Sequence, residues 1–302
     1  MDRLQAMAIF VRVAECGSFS RAAEQLHLPR AAVSQWIQRL ESHLGARLLQ
    51  RTTRQVQLTP EGVLYLQRCR DVLAAAEDAD AAVGGGQLQL NGNLRIDLPG
   101  RMARQLLIPR LGTFLAHYPG LKVELSINDR PVDLVREGID CVVRVGTLHD
   151  STLVARPLGQ LQVVNVASPA YLQRMGIPNT PDDLDHHQAI QYLSASNGKA
   201  YDWEWLDGNR IHSRVMGGSV MVNNADAYLA CALAGLGLAQ VPAYATDELI
   251  ASGSLVTVLA NYPPPPLPVA LVYPAHRHLS HRVRVFGDWL AQVFSEASSR
   301  TV

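Results

Sequence analysis

The chain carries no net charge and little that would staple, anchor or coordinate it. Its four cysteines, Cys16, Cys69, Cys141 and Cys231, are far apart in 302 residues and form no Cys-x-x-Cys pair. Free or buried thiols are therefore expected, not disulfides or metal ligands. No run reaches the ~18 apolar residues of a membrane helix. Met1-Asp2-Arg3 leads into an amphipathic segment and not into the apolar core of a signal peptide. The expectation is a cytoplasmic chain with no membrane association. His186-His187 and His276, His278 and His281 have no carboxylate or cysteine partner at ligand spacing, so no metal is expected. Gly235-x-Gly237 is a fragment of a dinucleotide fingerprint without its third glycine, and neither a serine elbow nor a phosphate loop is found. These absences argue against a cofactor and against catalysis. An enzyme or small-molecule-binding protein with a two-lobed α/β domain stays as the alternative.

What is present is an organised amino terminus. Ser18 to Leu44 reads as two helices, Ser20–His27 and about Ala31–Leu44, joined by Leu28-Pro29-Arg30. Ser20 is a candidate cap for the first helix. On the second, Val33, Trp36, Ile37, Leu40 and Leu44 recur at helical spacing. At about 100° per residue, Arg30, Ala31, Ser34, Gln35 and Gln38 fall on the other side. That side holds a cation, a hydroxyl and two amides but no acid, which suits base edges and phosphates in a major groove. A solvated amphipathic hairpin is the plain alternative. Two strand-like runs follow, Leu48–Arg51 and Gln55–Leu58, joined by Thr52-Thr53-Arg54. A hairpin tipped by Arg51 and Arg54 suits a phosphate backbone. Residues 1–60 hold eight arginines and four acids, so the remainder carries the balancing negative charge. That segregation has the sign expected when one end meets nucleic acid.

These residues resemble the amino terminus of the LysR-type transcriptional regulators. The match runs through Gly17-Ser18-Phe19-Ser20, Ala22-Ala23, Ala32-Val33-Ser34, Leu40-Glu41, Arg51-Thr52-Thr53-Arg54 and Leu58-Thr59-Pro60-Glu61-Gly62. Pro29, Arg30 and Ala31 depart from the family's usual Ser or Thr, Gln and Pro. The resemblance implies a winged helix-turn-helix with Ser20, Arg30, Ala31, Ser34, Gln35, Gln38, Arg51, Thr52, Thr53 and Arg54 toward double-stranded DNA.

Thr59-Pro60-Glu61 signals a helix start: a capping hydroxyl, a first-turn proline and an acid at the positive end. Val63, Leu66, Cys69, Leu73, Ala76 and Val83 make its stripe. A long helix beside a small unit is expected to pack on a copy of itself, and in the family this is the linker helix of a homodimer or homotetramer. Val63, Leu66 and Leu73 are the dimerisation candidates. Gly84-Gly85-Gly86 opens a hinge reaching Gly92.

From Asn93 strands alternate with helices, which predicts an α/β domain with a mostly parallel sheet. Strands are expected at 94–98, 122–127, 141–144, 163–167, 187–193, 202–206, 219–223, 236–241 and 269–273. Helices are expected at Arg104–His117, Val132–Glu137, Pro169–Met175, Asn224–Ala234, Ala243–Ala251 and Ser280–Phe294. Arg144-Val145-Gly146, Leu153-Val154-Ala155-Arg156 and Gly235-Leu236-Gly237 resemble the family's effector domain, most of all its CrgA-like branch. The resemblance implies two lobes similar to a periplasmic binding protein. The expected boundaries are a DNA-binding domain at 1–59, a linker helix at 60–84, a hinge at 85–92 and an effector domain at 93–302. Lobe I takes 93–160 and 269–302, and lobe II takes 161–268.

Ligands in open α/β sheets sit beyond the carboxyl ends of the strands. That rule marks Pro99, Gly100 and Arg101, and Val145, Gly146 and Thr147. Tyr192, Asn223, Asn224 and Pro242 of the second lobe are candidates to face them. Helix starts at Arg101 and Asn224 favour an anionic or polar effector. A surface role for Arg101 is the alternative.

Overall fold

The computed structural model describes residues 2–51, 56–83, 90–146, 153–194, 198–274 and 279–299. The chain divides into two compact units, one formed chiefly by residues before 89 and the other chiefly by residues from 89 on.

The first unit contains helices α1 (Arg3–Cys16), α2 (Phe19–Leu26) and α3 (Arg30–Leu44). The hairpin β1 (Leu49–Arg51) and β2 (Val56–Leu58) follows, then α4 (Pro60–Val83). Ala6, Ile9, Phe10, Val13, Ala22, Val33, Ile37, Leu40 and Leu48 form its core. Ala6, Ile9, Phe10 and Val13 carry the packed face of α1, which leaves Leu4 exposed. Ser18 caps α2 by accepting from the Arg21 N–H, so Ser20 lies inside the helix and not at its cap. Pro29 occupies the cap position of α3 and makes no side-chain capping bond.

From residue 90 the chain runs β3 (Gly92–Leu98), α5 (Gly100–Met102), a π turn at Ala103–Leu107, α6 (Ile108–His117), β4 (Leu121–Ile127), α7 (Leu134–Glu137), β5 (Cys141–Val145) and β6 (Leu153–Leu161). It continues as β7 (Val163–Ala167), α8 (Pro169–Met175), a 3-10 turn at Pro181–His186, β8 (Gln191–Tyr192), β9 (Trp203–Asp207), β10 (Arg210–Arg214), β11 (Met221–Val222), α9 (Ala225–Leu233) and β12 (Ala239–Pro242). A 3-10 turn at Ala243–Ala245, α10 (Asp247–Ala251), β13 (Val256–Thr257), β14 (Leu267–Pro274) and α11 (His281–Ser299) complete it.

Two main sheets result, in the orders β4-β3-β5-β14-β6 and β12-β7-β13. The mostly parallel arrangement holds only around β3, which pairs parallel with β4 and β5. β14 returns from the second lobe and pairs antiparallel with both β5 and β6. In the second sheet β7 pairs antiparallel on both sides. For β14 chain return decides this, since a strand arriving from another lobe is free of the crossover that joins parallel neighbours.

Several elements differ from their expected bounds. Gly92, expected in the hinge, opens β3 opposite Leu121, and the other glycines of that stretch, Gly84–Gly86, lie outside the described residues. The helix expected from Arg104 begins at Gly100 and widens into the π turn. Pro109 supplies no N–H to the Gln105 carbonyl and crowds it, which accounts for a wide turn just ahead of α6. The 187–193 and 219–223 strands shrink to the two-residue pairs β8 and β11, and the 236–241 strand begins only at Ala239. β6, β10 and β13 were not anticipated. Exposure on both faces leaves β10 without an alternating pattern to read.

Candidate functional site

In the first unit the apolar stripe of α3 is used up in the core: Val33, Ile37 and Leu40 are buried, with Trp36 and Leu44 packed beside them. Arg30, Ala31, Gln35 and Gln38 are exposed on the other side, and Ser34 is half-buried. An open depression of about 580 Å³ along this helix is lined by Gln35, Gln38, Arg39, Ser42 and His43. Ser20 is exposed on α2. β1 and β2 pair in the register Leu49↔Leu58 and Arg51↔Val56. Thr52, Thr53 and Arg54 lie outside the described residues.

Two polar anchors fix this hairpin to α3 and α4: Glu41, which the sequence reading missed, and the Thr59 hydroxyl, which it expected as the cap of α4. The Glu41 carboxylate accepts from the N–H groups of Leu48 (2.8 Å) and Leu49 (3.1 Å). The Thr59 hydroxyl donates to the Arg47 carbonyl at 2.6 Å and accepts from the Gly62 N–H at 2.9 Å. A Cβ on Gly62 would sit 2.0 Å from the Leu48 carbonyl oxygen, so only glycine fits there. For Glu41 the available signal was an acid just ahead of Leu44-Gly45.

The α4 stripe divides. Leu66 and Cys69, with Tyr65, join the core of their own unit, and a Glu15–Arg70 ion pair of 3.2 Å ties α4 to α1. The expectation that nothing in the unit covers this stripe is corrected: α1 covers half of it. Burial pushes the Cys69 thiol up to about 12, leaving it unreactive. Val63 is exposed and Leu73 half-buried. Leu64 and Val72 are 65% and 41% exposed, and with exposed Ala75 and Ala79 they share another face.

In the second unit Pro99, Gly100 and Arg101 follow β3 as expected, but Arg101 is already engaged across the cleft. Its Nη1 lies 3.0 Å from Asp226 Oδ1, and its Nη2 donates to the Ala245 carbonyl at 3.0 Å. Arg104 pairs with the same carboxylate. The start of α9 is likewise filled. Asp129 accepts from Asn224 Nδ2 at 2.7 Å and from the Ala225 N–H at 3.0 Å, and its other oxygen meets the Gly100 N–H at 3.4 Å. The free cation and open helix starts anticipated from the sequence are thus corrected to charged pairs between the lobes. Asp129 and Asp226 were missed. The carboxyl-end rule, applied to β4 as it was to β3 and β5, points to Asp129.

Tyr192 and Tyr244 flank these acids. Burial raises both phenols above the usual range; Asp129 and Asp226 add to this, while Arg101 pulls Tyr244 back. Tyr192 meets Tyr228 edge-on at 5.2 Å, and burial pushes the Tyr228 phenol up to about 12. Asn223 is exposed, and Pro242 leads into the turn that offers the Ala245 carbonyl. Val145 and Gly146 are engaged with β14, through pairing to Val269 and through the Gly146 N–H to the Pro268 carbonyl at 2.8 Å. Thr147 lies outside the described residues. Among the described residues, Arg101 Nε and Gln105 Oε1 are buried without a hydrogen-bond partner.

Below the cleft, Asp97 on β3 is fully buried. It faces Arg144 on β5 at 3.5 Å and accepts from Asn128 Nδ2 at 3.0 Å. Burial lowers the Arg144 guanidinium from its usual value, and Asp97 opposes that shift.

Residues 4–63 match the model of the bacterial regulatory helix-turn-helix protein, lysR family, and residues 87–295 match that of the LysR substrate binding domain. The chain belongs to the LysR family of transcriptional regulators. It is 46% identical over 98% of its length to an uncharacterized HTH-type transcriptional regulator, YhjC of Escherichia coli, covering 99% of that protein. It is 38% identical to an HTH-type transcriptional repressor of Pseudomonas aeruginosa, covering 98% of this chain and 93% of that one. Among solved structures it is similar to CrgA, a LysR-type regulator of Neisseria meningitidis, with a TM-score of 0.60, 32% identity and coverage of 95% and 97% of the two chains. This LysR-type chain therefore combines a DNA-binding domain with an effector-binding domain of two α/β lobes. All four cysteines are free, and no described helix is long and apolar enough to cross a membrane.

Proposed function

We propose that this LysR-type regulator reads DNA through α3 as a dimer or a pair of dimers in the cytoplasm, and that a small anionic or polar effector held between its lobes modulates binding. The exposed, acid-free face of Arg30, Gln35 and Gln38 carries the DNA reading, because it stands opposite the stripe that packs into the core. Ser34, Ala31 and Ser20 border that face, and Arg51 on the hairpin adds a phosphate contact. In a titration of the chain's own upstream DNA, Arg30→Ala or Gln35→Ala costs ~1–3 kcal/mol and changes base preference. Arg51→Ala weakens all sequences alike and flattens the salt slope. Wild-type binding by both α3 variants would remove the helix from the groove.

Two observations support the remaining parts. Leu64, Val72, Ala75 and Ala79 lie exposed on one face of α4 with Arg68 among them, an arrangement suited to a second copy of the helix. The assembly reading therefore moves from Leu66 and Leu73 to this face, and Leu64→Glu with Val72→Glu is expected to yield monomers in sedimentation. In the cleft between the lobes the Nε of Arg101 is buried without a partner while its other nitrogens meet Asp226 and the Ala245 carbonyl, which supports a polar ligand there.

A further inference from the structure

The charged contacts across the cleft are reciprocal. Lobe I sends the Asp129 carboxylate to Asn224 Nδ2 and the Ala225 N–H of lobe II. Lobe II returns the Asp226 carboxylate to Arg101 and Arg104 of lobe I. Arg101 also donates to the Ala245 carbonyl. Each lobe thus supplies an acid to the other lobe's donors, and both acids bracket the first turn of α9. The closeness is built into the backbone: a Cβ on Gly100 would lie 3.1 Å from the Ile127 side chain and 3.9 Å from an Asp226 oxygen. Asp129 follows Asn128, whose side chain is held by Asp97 and Ser126. The acid therefore projects from an anchored loop.

We propose that Asp129, with the Arg101–Asp226 pair, is an internal latch: its carboxylate fills donors that a carboxylate effector would use, holding the lobes together until such a ligand displaces it. The inference rests on the cleft reading above and deepens it. An anionic group near the positive end of α9 is favoured by the helix dipole and by free N–H groups. The protein's own acid takes that position at the Ala225 N–H, beside the Asn224 Oδ1 that accepts from the Asp226 and Ala227 N–H groups. An effector then shifts the equilibrium only by the surplus of its affinity for these donors over that of Asp129.

Hydrogen exchange on the full chain, without effector, tests this. In Asp129→Ala, amides 100–104 and 225–228 are expected to exchange at least about tenfold faster, with the sheet amides of β3, β5 and β14 unchanged. Sodium acetate, compared with sodium chloride at equal ionic strength, is expected to restore slow exchange at Ala225 in this variant and to do little in wild type. Asp129→Asn keeps the volume, loses the charge, and is expected to exchange faster than wild type at the same amides. Unchanged exchange in both variants overturns the latch. So does acceleration spread evenly over both lobes, which marks Asp129 as a structural residue, and so does the absence of rescue by acetate. None of these outcomes involves an effector. The cleft reading fails separately, if a ligand that raises the melting temperature of wild type does so equally in Arg101→Ala.

Discussion

The two units use polar side chains in opposite ways. In the first, the residues suited to recognition face solvent: Arg30, Gln35 and Gln38 are exposed, while Glu15 and Arg70 pair to hold α4 on α1. In the second, the residues suited to recognition are bonded to one another. Arg101 meets Asp226, Asn224 meets Asp129, and Arg144 meets Asp97. A duplex presents its own dense array of charges, so the surface that reads it needs no internal counter-charge. A cleft for a small molecule is partly dry, and charge left there without a partner is costly. The same residue types therefore stand open in one unit and paired in the other.

That contrast is tested most strongly at Asp97. Asp97→Ala leaves Arg144 without its carboxylate and is expected to cost ~3–5 kcal/mol in denaturant unfolding of the effector domain. A loss under about 1 kcal/mol would place this pair with surface ion pairs and break the contrast. In the first unit the largest structural effect comes from backbone contact and not from charge. Gly62→Val drives a side chain into the Leu48 carbonyl and is expected to cost about 3 kcal/mol or more of that unit's stability, read by thermal unfolding.

Gln38→Ala sharpens the difference in the other direction. It is expected to lower DNA affinity by ~1–3 kcal/mol while stability stays within about 0.5 kcal/mol of wild type. A matching loss of stability would mean that the face is packed and not open.

The smallest expected effect is a pH dependence in lobe II. Burial lowers His187 below the usual 6.5, with His186 adding to the shift and Asp183 opposing it. The unfolded chain then takes up a proton first as pH falls, so the contribution of neutral His187 is complete above 6.5 and shrinks below it. His187→Asn is expected to flatten the decline of melting temperature on the acid side of that value. An identical slope in the variant would exclude His187 as its source.

Local features were legible in the residues alone: the helical stripe of α3, the hydroxyl and proline that start α4, and the acid-free composition of the exposed side of α3. These depend on residues within a few turns of one another, so periodicity and capping chemistry record them. Motif density over 4–63 likewise carried the family. Strand rhythm carried the α/β character of the remainder, and the carboxyl-end rule carried Gly100, Arg101 and Asn224 to the cleft. What those residues meet is set by the folded chain. The antiparallel arrival of β14, the coverage of Leu66 by α1, and the filling of Arg101 and Asn224 by Asp226 and Asp129 depend on partners as far apart in the chain as Val142 and Val272. A charge in a sequence shows its sign but not its counter-charge. Burial and distance, which only the folded chain sets, decide whether it faces a ligand or another part of the protein.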